Sequence, residues 1–433
     1  MLLKTWAALA VALTLLNGCG DDDANKGEVR IVNATTEYAS LDLYTQNSDG
    51  GNDLVVSGTA AGAASAYTGV DKGGYTFNIK SGTGAGNAAS TTGTVNKTDH
   101  YSIVTYLTGN TSKAQFLSDE ESHPASGNAK FRVFNAAPSE AASVDVYLTK
   151  NPCTALAVTD TALAAAVTDL QASYSQVTAA AAGTDWNVCV FATGDQETLL
   201  VDIPKLTLKD QEIATLILTH TAGGVLLNAA VLDQQGALVP YTSPISRVRV
   251  AADAANGKQV TVLFGTTALT SPANSPSVND YETVAAGAVT ATVTIDGSTQ
   301  AIVLPTLTAG SDYTLLVTGS AGAAAAALIP DINTPSTSTT QTVKARVING
   351  INNLTGTVGA IIDSKSIGSA TFATASAYAT IPPAAGISTV QATITTNPAS
   401  LVDRTFTANG VYTVFVWGDT AQGLPQLAVV QDR

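Results

Sequence analysis

Two neighbouring segments decide the fold of this chain: Phe131-Arg132-Val133-Phe134-Asn135-Ala136-Ala137-Pro138, and Val144-Asp145-Val146-Tyr147 thirteen residues after the first begins. The second segment alternates apolar and polar residues with a period of two. This period predicts a β-strand that has one buried face. Both segments recur along the chain, so they mark a repeated β unit rather than a single hairpin.

The repeat begins with an arginine inside an apolar run and occurs four times, with the arginines 102, 117 and 97 residues apart. A tyrosine and a turn of a small residue and glycine follow each start, and the unit closes with two strands that end near an aspartate. The arginines are Arg30, Arg132, Arg249 and Arg346; the tyrosines are Tyr67, Tyr174, Tyr281 and Tyr378; the aspartates are Asp119, Asp233, Asp331 and Asp432. This spacing predicts an all-β protein of four tandem Ig-like antiparallel β-sandwich domains, each with about seven strands and its own core.

We place the four sandwiches at residues 28–118, 129–233, 244–331 and 343–433, separated by linkers. Two alanine-rich stretches test the all-β assignment. Ala321 to Ala327 lies where the repeat requires a turn and the last strand, so we expect a strand there. Thr159 to Leu170 is the best candidate for a short helix, in the second sandwich.

The order of motifs, Arg-Val-x-Asn-Ala, a (Val/Leu)-Asp-(Val/Leu)-Tyr strand, a tyrosine and a glycine hairpin, resembles the DUF4397 domain of bacterial envelope proteins. The second repeat, through 135–138 and 144–147, is the nearest match; the first repeat matches well, and the third and fourth are degenerate. The resemblance covers most of the chain after residue 19. It implies an Ig-like sandwich and supplies no established activity.

The N-terminus carries a separate signal. Lys4 precedes an apolar run of about eleven residues, Trp6 to Leu16, which suits a signal peptide and is shorter than the roughly 20 residues that span a bilayer. Leu16-Asn17-Gly18-Cys19 resembles the lipobox of bacterial lipoprotein precursors. We therefore expect a signal peptide over 1–18, lipid on Cys19 and a flexible tether over 19–27. The alternatives are an ordinary secretory signal with a chance cysteine, or a simple membrane anchor helix.

Localisation and partners follow from the lipid and the charge. The residue after the cysteine is Gly20, and by enterobacterial sorting the absence of aspartate there indicates the outer membrane. We expect a cell-envelope protein that is held to the membrane through the lipid on Cys19. A net charge of −14 repels nucleic acid, so no nucleic-acid partner is expected.

Cys153 and Cys189 remain after lipidation, an even pair in an oxidising compartment, and they predict a disulfide in the second sandwich. Two separately buried thiols are the alternative. The three histidines, His100, His123 and His220, are not spaced as metal ligands. We expect no catalytic residues, no metal and no cofactor.

The repeated tyrosines favour an architectural role, with the ring buried and the hydroxyl bonded to the backbone at a sandwich corner. Stacking on carbohydrate is the alternative. Each repeated arginine is expected to pair with a carboxylate across a strand. The sequence therefore favours a non-enzymatic spacer or presentation module of the envelope. A glycan- or peptide-binding surface protein is the second hypothesis, and a hydrolase is the least favoured.

Overall fold

The computed structural model describes residues 25–433 apart from short gaps. The gaps are 36, 47–49, 83–85, 109–110, 158, 181–182, 222, 255–256, 271, 337–341, 353, 383–385, 395–400 and 419–425. The regular secondary structure of the described residues is almost entirely β-strand, and no helix among them is long and apolar enough to cross a membrane. The predicted signal peptide and Cys19 lie outside the described residues.

The first sandwich has nine strands in two sheets. They are β1 (Lys26–Asn33), β2 (Ser40–Gln46), β3 (Asn52–Ala60), β4 (Ala63–Ala64), β5 (Thr68–Asp71), β6 (Gly73–Lys80), β7 (Asn87–Val95), β8 (His100–Thr108) and β9 (Thr111–Ser118). One sheet has the order β4-β1-β8-β9, with β5 also beside β1, and the other has the order β3-β2-β6-β7. Alternate residues of the two sheets, among them Ile31, Leu43 and Phe77, form the core between them.

The second sandwich also has nine strands and adds a short 3-10 helix at Cys153–Ala155. The strands are β10 (Asn128–Asn135), β11 (Val144–Thr149), β12 (Ala164–Val167), β13 (Ser175–Thr178), β14 (Thr184–Ala192), β15 (Asp195–Leu208), β16 (Ile213–His220), β17 (Leu227–Asp233) and β18 (Leu238–Tyr241). The sheets have the orders β13-β10-β16-β17-β18 and β12-β11-β14-β15. Val133, Val190 and Leu216 are fully buried between them.

The third sandwich has ten strands. They are β19 (Ile245–Ala254), β20 (Gln259–Phe264), β21 (Thr267–Ala268), β22 (Ala273–Asn274), β23 (Ser277–Val278), β24 (Glu282–Ala285), β25 (Thr290–Ile295), β26 (Ser298–Val303), β27 (Asp312–Ser320) and β28 (Ala323–Asp331). One sheet has the order β23-β19-β27-β28 with β24 beside β19, and the other has the order β21-β20-β25-β26 with β22 beside β20. Val250, Val293 and Leu315 lie in this core.

The fourth sandwich repeats the plan with nine strands. They are β29 (Val343–Asn349), β30 (Val358–Ile362), β31 (Lys365–Ala370), β32 (Thr374–Ala375), β33 (Ala379–Ile381), β34 (Ile387–Ile394), β35 (Leu401–Thr405), β36 (Val411–Trp417) and β37 (Gln426–Gln431). The sheets have the orders β32-β29-β36-β37, with β33 beside β29, and β31-β30-β34-β35. Val347, Val390 and Val414 are buried between them.

All four sandwiches share one topological feature. The first strand pairs in parallel with the penultimate long strand, as in β1–β8, β10–β16, β19–β27 and β29–β36, whereas the other named strand pairs are antiparallel. We call the sheet that contains this parallel pair the arginine sheet of its sandwich. The predicted class, an all-β protein of tandem sandwiches, is confirmed, and each sandwich contains one parallel pair within it.

The two alanine-rich stretches have different outcomes. Ala321 to Ala327 enters β28, so the predicted strand is confirmed. The short helix predicted over Thr159 to Leu170 is wrong, because this segment contains β12, which pairs with β11. Ala164 and Val167 are buried in the core of the second sandwich, and this packing outweighs the helix propensity of alanine.

The segments between sandwiches also contribute strands. Residues 234–243, assigned to a linker from the sequence, contain β18, which pairs with β17 and widens the arginine sheet of the second sandwich. Lys26 and Gly27, at the end of the predicted tether, are already part of β1.

The arginine sheets pack against each other in pairs. Val32, Tyr106 and Leu117 of the first sandwich meet Phe134 and Ile217 of the second in one apolar cluster. A matching cluster joins the third and fourth sandwiches. The first strands are therefore buried on both faces, one towards their own core and one towards the neighbouring sandwich.

Candidate functional site

The four repeated arginines occupy one register position on the outer face of the arginine sheets. Their exposed fractions are 2% for Arg30, 9% for Arg132, 1% for Arg249 and 2% for Arg346. Each lies opposite a serine or threonine of the parallel partner strand, and its Nε donates to that hydroxyl. The distances are 2.7 Å to Ser102, 2.9 Å to Thr215, 2.9 Å to Thr314 and 3.3 Å to Thr413.

Each guanidinium is also covered by the repeated tyrosine of its own sandwich. The distances from Cζ to the ring centroid are 4.6 Å for Arg30–Tyr67, 4.3 Å for Arg132–Tyr174, 4.7 Å for Arg249–Tyr281 and 4.8 Å for Arg346–Tyr378. A delocalised cation over an aromatic face is a favourable arrangement when both groups are desolvated. One face of each ring is thus occupied by the protein's own arginine, which leaves that face closed to a sugar.

Two of the four tyrosine hydroxyls bond to carboxylates where the sequence led us to expect backbone. The Tyr67 hydroxyl donates to Oδ2 of Asp119 at 2.6 Å, and the Tyr281 hydroxyl donates to Oδ2 of Asp331 at 2.5 Å. Burial, reinforced by the neighbouring carboxylate, raises the pKa of both tyrosines. The reason for the carboxylate is charge: a buried guanidinium needs a counter-ion nearby, and the tyrosine bonds to that counter-ion.

The third and fourth sandwiches exchange these counter-ions. Nη1 of Arg249 donates to Oδ1 of Asp432, which follows the last strand of the fourth sandwich, at 2.5 Å. Nη2 of Arg346 donates to Oδ1 of Asp331 of the third sandwich. The contact is reciprocal, so each sandwich supplies the carboxylate that neutralises the arginine of the other.

Burial and charge have opposite effects on the groups of this exchange. Burial on its own would lower the pKa of Arg249, but the charges of Asp432 and Asp331 outweigh it and raise that pKa. Burial raises the pKa of Asp432, while Arg249 opposes the rise. Thr413 donates to Asp432 at 2.6 Å and Thr314 donates to Asp331 at 2.7 Å, so the remaining carboxylate oxygens are bonded too.

The first and second sandwiches use a variant of the same contact. Arg30 lies 3.9 Å from Oδ2 of Asp119 in its own sandwich and donates across the junction to the carbonyl oxygens of Asp233, at 3.1 Å, and Gly236. Gln234 exchanges hydrogen bonds with the backbone of Glu121 in the same junction, at 3.0 Å and 2.8 Å. Backbone carbonyls therefore replace the carboxylate of the partner sandwich.

This arrangement corrects one member of the predicted aspartate repeat. The residue opposite the arginine-bonded hydroxyl is Leu232 in the second sandwich and Ile329 in the third, so Gln234 corresponds to Asp331 by register. Asp233 instead lies beside Glu212. Burial, with the hydrogen bond and charge of Asp233, raises the pKa of Glu212 to about 7.

The predicted disulfide is confirmed. Cys153 and Cys189 are bonded, with 5.4 Å between their Cα atoms, and both are buried. The bond attaches the 3-10 helix to β14 within an apolar cluster that includes Leu226 and Ile245. Because Ile245 begins β19, the disulfide lies beside the junction between the second and third sandwiches.

The same junction contains close backbone contacts. A Cβ added to Gly310, whose φ is +74°, would lie 2.9 Å from the methyl group of Thr221. Asn333 donates its backbone N–H to the carbonyl oxygen of Gly223 at 3.0 Å. Arg433 of the fourth sandwich donates to the carbonyl oxygen of Ser139 of the second. The second sandwich therefore contacts both later ones.

The histidines do not bond to the repeated arginines, although the His100 ring packs edge-on against the Tyr67 ring, with 5.2 Å between the centroids. His100 bonds to Glu120 at 2.8 Å, His123 to the carbonyl of Gln211 at 2.9 Å, and His220 to Glu37 at 2.7 Å. Within the residues that the structure describes, no three histidine, cysteine or acidic side chains are grouped as metal ligands. His100 also lies 3.4 Å from Glu28 and 3.3 Å from Gln235, so its contacts lie at the surface and at the first junction.

The sequence pattern identified the repeated arginines and tyrosines, but it did not reveal that the arginines connect neighbouring sandwiches. A signal was present: Val29 to Val32 and Phe131 to Phe134 are almost continuously apolar around a single arginine. A strand with that composition is expected to be buried on both faces, whereas a strand with one solvated face alternates.

Known proteins offer limited comparison. A family model described as "Domain of unknown function (DUF4397)" matches residues 27–147, which cover the first sandwich and the start of the second. No curated protein matches the chain.

Among solved structures, a protein of Bacteroides uniformis that its description provisionally assigns to cell adhesion is 12% identical, with a TM-score of 0.20; the match covers 48% of this chain and 99% of that one. The Bacillus anthracis TIE protein is 11% identical, with a TM-score of 0.16, and the match covers 92% of this chain and 68% of that one. TM-scores this low support no argument about this chain. Residues 27–147 are therefore similar to the DUF4397 family, whose description states no function.

Proposed function

We propose that this protein is a non-enzymatic lipoprotein of the bacterial cell envelope. Residues 1–18 act as the signal peptide and Cys19 carries the lipid, which holds the protein to the membrane. The four sandwiches serve as a structural spacer or as a module that presents surfaces to other envelope components. The Leu16-Asn17-Gly18-Cys19 motif supports the anchor, and Gly20 supports the outer membrane as its location.

One observation carries the proposal: the repeated charged groups are buried between sandwiches. A catalytic site needs ionisable groups that converge on a cleft open to substrate. Here Arg249, Arg346, Asp331 and Asp432 converge on an interface between sandwiches instead, and they neutralise one another. Their chemistry fixes the position of one sandwich against the next, which is what a spacer requires.

The geometry of the junctions supports a stiff rather than a jointed spacer. The first pair of sandwiches is joined by an apolar cluster and by Arg30, and the second pair by an apolar cluster and the reciprocal exchange. Bending between two sandwiches would separate these buried charges from their partners, and this would cost several kcal/mol. Surfaces on neighbouring sandwiches are therefore held at a fixed spacing.

The anchor is tested by fractionation of cells that express the Cys19→Ser variant. We expect wild-type protein in the outer-membrane fraction and the variant in the soluble envelope fraction. Gly20→Asp is the matched control, because it keeps the lipid and should move the protein to the inner membrane only. Membrane association of Cys19→Ser would contradict the anchor.

The spacer role is tested by distance measurements between spin labels on the exposed residues Asp296 and Lys365 of the third and fourth sandwiches. A narrow distribution is expected, and it should broaden when Asp331→Asn and Asp432→Asn are combined. A broad distribution in the otherwise unchanged protein would contradict a stiff junction. Turnover of a cell-wall or sugar substrate by the metal-free ectodomain would contradict the non-enzymatic assignment.

A further inference from the structure

An apolar cleft of about 540 Å³ opens between the third and fourth sandwiches. Its first wall is the end of β28 and the residues after it, from Leu328 to Ile332. Its second wall is the segment from Ala373 to Tyr378, which contains β32. Lys344 lies between the walls, but its ammonium already donates to the carbonyl oxygens of Ile332 and Thr334, at 2.7 Å and 2.8 Å. Arg346 also lines the cleft, but its guanidinium is bonded to the carbonyl oxygen of Pro330 and to Asp331. Because both cations already have partners, the cleft favours a neutral, apolar occupant.

The position that forms the floor of this cleft occurs once in every sandwich. In each arginine sheet a short segment runs beside the first strand. The position meant is the residue of that segment that pairs with the residue two after the repeated arginine. The four pairs are Val32–Ala64, Phe134–Leu170, Ala251–Val278 and Ile348–Ala375. In three of the sandwiches the next side chain accepts a hydrogen bond from the first strand, namely Ser65 at 3.1 Å, Gln171 at 2.8 Å and Ser376 at 3.1 Å.

Three of the four positions are filled within the chain. Leu170 and Val278 carry large side chains that pack into the clusters between sandwiches. Ala64 is small, but Leu238 of β18 packs into the same cluster and completes it. Ala375 is equally small. Within the described part of the chain no strand pairs with the outer edge of β28, so the cleft stays open in front of Ala375.

The difference between Ala64 and Ala375 has a local cause. In the second sandwich, the N–H of Asp233 donates to the carbonyl of Ala237 at 3.0 Å, and this hairpin leads into β18. By register, Pro330 takes the place of Asp233 in the third sandwich. Proline has no N–H to donate, so the chain cannot start the equivalent hairpin and leaves β28 as an edge strand.

We propose that this cleft binds an extended peptide segment of a partner protein, which adds to the edge of β28 as β18 adds to β17. An aliphatic side chain of that segment lies in front of Ala375, where Leu238 lies in front of Ala64. Strand addition supplies backbone hydrogen bonds for affinity and a side-chain pocket for specificity. The inference rests on the proposed interaction role, for which it names the site and the partner chemistry.

The test uses the full ectodomain, residues 20–433, and a fluorescein-labelled peptide with the sequence of residues 236–242, Gly-Ala-Leu-Val-Pro-Tyr-Thr. Fluorescence anisotropy should show saturable binding. The same peptide with aspartate in place of the residue that corresponds to Leu238 should not bind. Absence of saturation up to about 1 mM, which corresponds to about −4 kcal/mol, would overturn the proposal.

Two protein variants locate the site. Ala375→Leu introduces the residue found at Leu170, and Ile332→Asp places a charge at the rim, where the side chain is 47% exposed. Each should weaken binding by about tenfold or more. Val303→Asp is the control, since Val303 is 82% exposed on the other sheet, and it should leave binding unchanged.

Thermal unfolding shows whether Ala375→Leu is folded; if it is not, Ile332→Asp decides the result. Binding that neither variant weakens would overturn the assignment of the site, since the peptide would then bind elsewhere, for example at β17. Failure of this soluble assay is distinct from failure of the lipid anchor, which only fractionation of the Cys19→Ser variant measures.

Discussion

Arg249 of the third sandwich and Asp432 of the fourth form a fully buried ion pair, with 2.5 Å between Nη1 and Oδ1. Arg346 and Asp331 form the reciprocal pair. Neither sandwich supplies all of the negative charge that neutralises its own arginine. The stability of each therefore depends on the presence of the other, and we expect the two to unfold together.

The first prediction concerns this dependence. Asp432→Asn leaves Arg249 buried beside a neutral group, and removal of one partner of such a pair costs about 3–5 kcal/mol. Urea unfolding followed by the fluorescence of Trp417, which is buried in the same junction and stacked on Phe415, should show a lower midpoint. Asp296→Asn breaks only an exposed pair with Lys258 and should shift stability by less than about 0.5 kcal/mol. Equal midpoints for the two variants would refute the dependence.

The second prediction concerns the tyrosines. Tyr281→Phe removes a buried hydroxyl that donates to Asp331 and should reduce the free energy of unfolding by about 1.5–3 kcal/mol. Tyr75→Phe is the control, since its hydroxyl bonds only to an exposed backbone carbonyl, that of Asp71. If Tyr281→Phe lowered the free energy of unfolding by no more than Tyr75→Phe does, the buried hydroxyl would contribute no more to stability than an exposed one. The comparison is made by urea unfolding at one pH.

The third prediction concerns the disulfide. Cys153 and Cys189 are 36 residues apart, and closing a loop of that size contributes about 3–4 kcal/mol in the chain-entropy description. In the double variant Cys153→Ser, Cys189→Ser, the free energy of unfolding should be lower by that amount. Its melting temperature should be insensitive to reductant, whereas that of the wild type falls. Thiol labelling of the native, unreduced ectodomain, residues 20–433, which lacks Cys19, would contradict the bond.

The fourth prediction concerns pH. The pKa of Glu212 is about 7 in the folded chain, compared with an ordinary 4.5, because of burial and Asp233. Between these two values the folded state holds a proton that the unfolded state has released. Stability therefore falls as the pH rises from about 4.5 to about 7, by about 1 kcal/mol, since solvent screens a half-buried group.

Glu212→Gln should remove the part of this fall in stability with rising pH that comes from Glu212. The measurement is the melting temperature at pH 5 and pH 8, and the difference should be smaller in the variant than in the wild type. Glu197→Gln, at an exposed position, is the control and should keep the wild-type difference. If the melting temperature changed equally between pH 5 and pH 8 in the wild type and both variants, the raised pKa of Glu212 would be contradicted.

The sequence predicted about seven strands in each sandwich, whereas the described residues form nine or ten, since strands of two to four residues are too short to show alternation. It was sufficient for the all-β class and for the repeat, because alternation is a local property of the chain. The helix expected over Thr159 to Leu170 failed for the opposite reason: the pairing of Ala164 and Val167 with β11 is a tertiary contact that propensity does not contain. Similarly, Asp233 was matched to the other aspartates by its distance along the chain. Only strand register shows that Gln234 occupies the equivalent place.

The exchange between sandwiches could not be read from any single repeat. Arg249 and Asp432 are 183 residues apart, and a carboxylate pairs equally well in principle with its own arginine or with that of a neighbour. Which of the two forms depends on how the arginine sheets face each other. The apolar residues around the arginines predict that these faces are covered, but not what covers them.

The reciprocal ion pairs also set an order of events in biogenesis. A chain emerges from the ribosome N-terminus first, so Arg249 is available long before Asp432 has been synthesised. Until β37 is in place, the third sandwich carries a cation that has no counter-charge from the fourth, and it stays less stable than in the finished molecule. Proteases that act on incompletely folded chains would thus encounter a vulnerable intermediate, and completion of the last strand would confer resistance on two sandwiches at once.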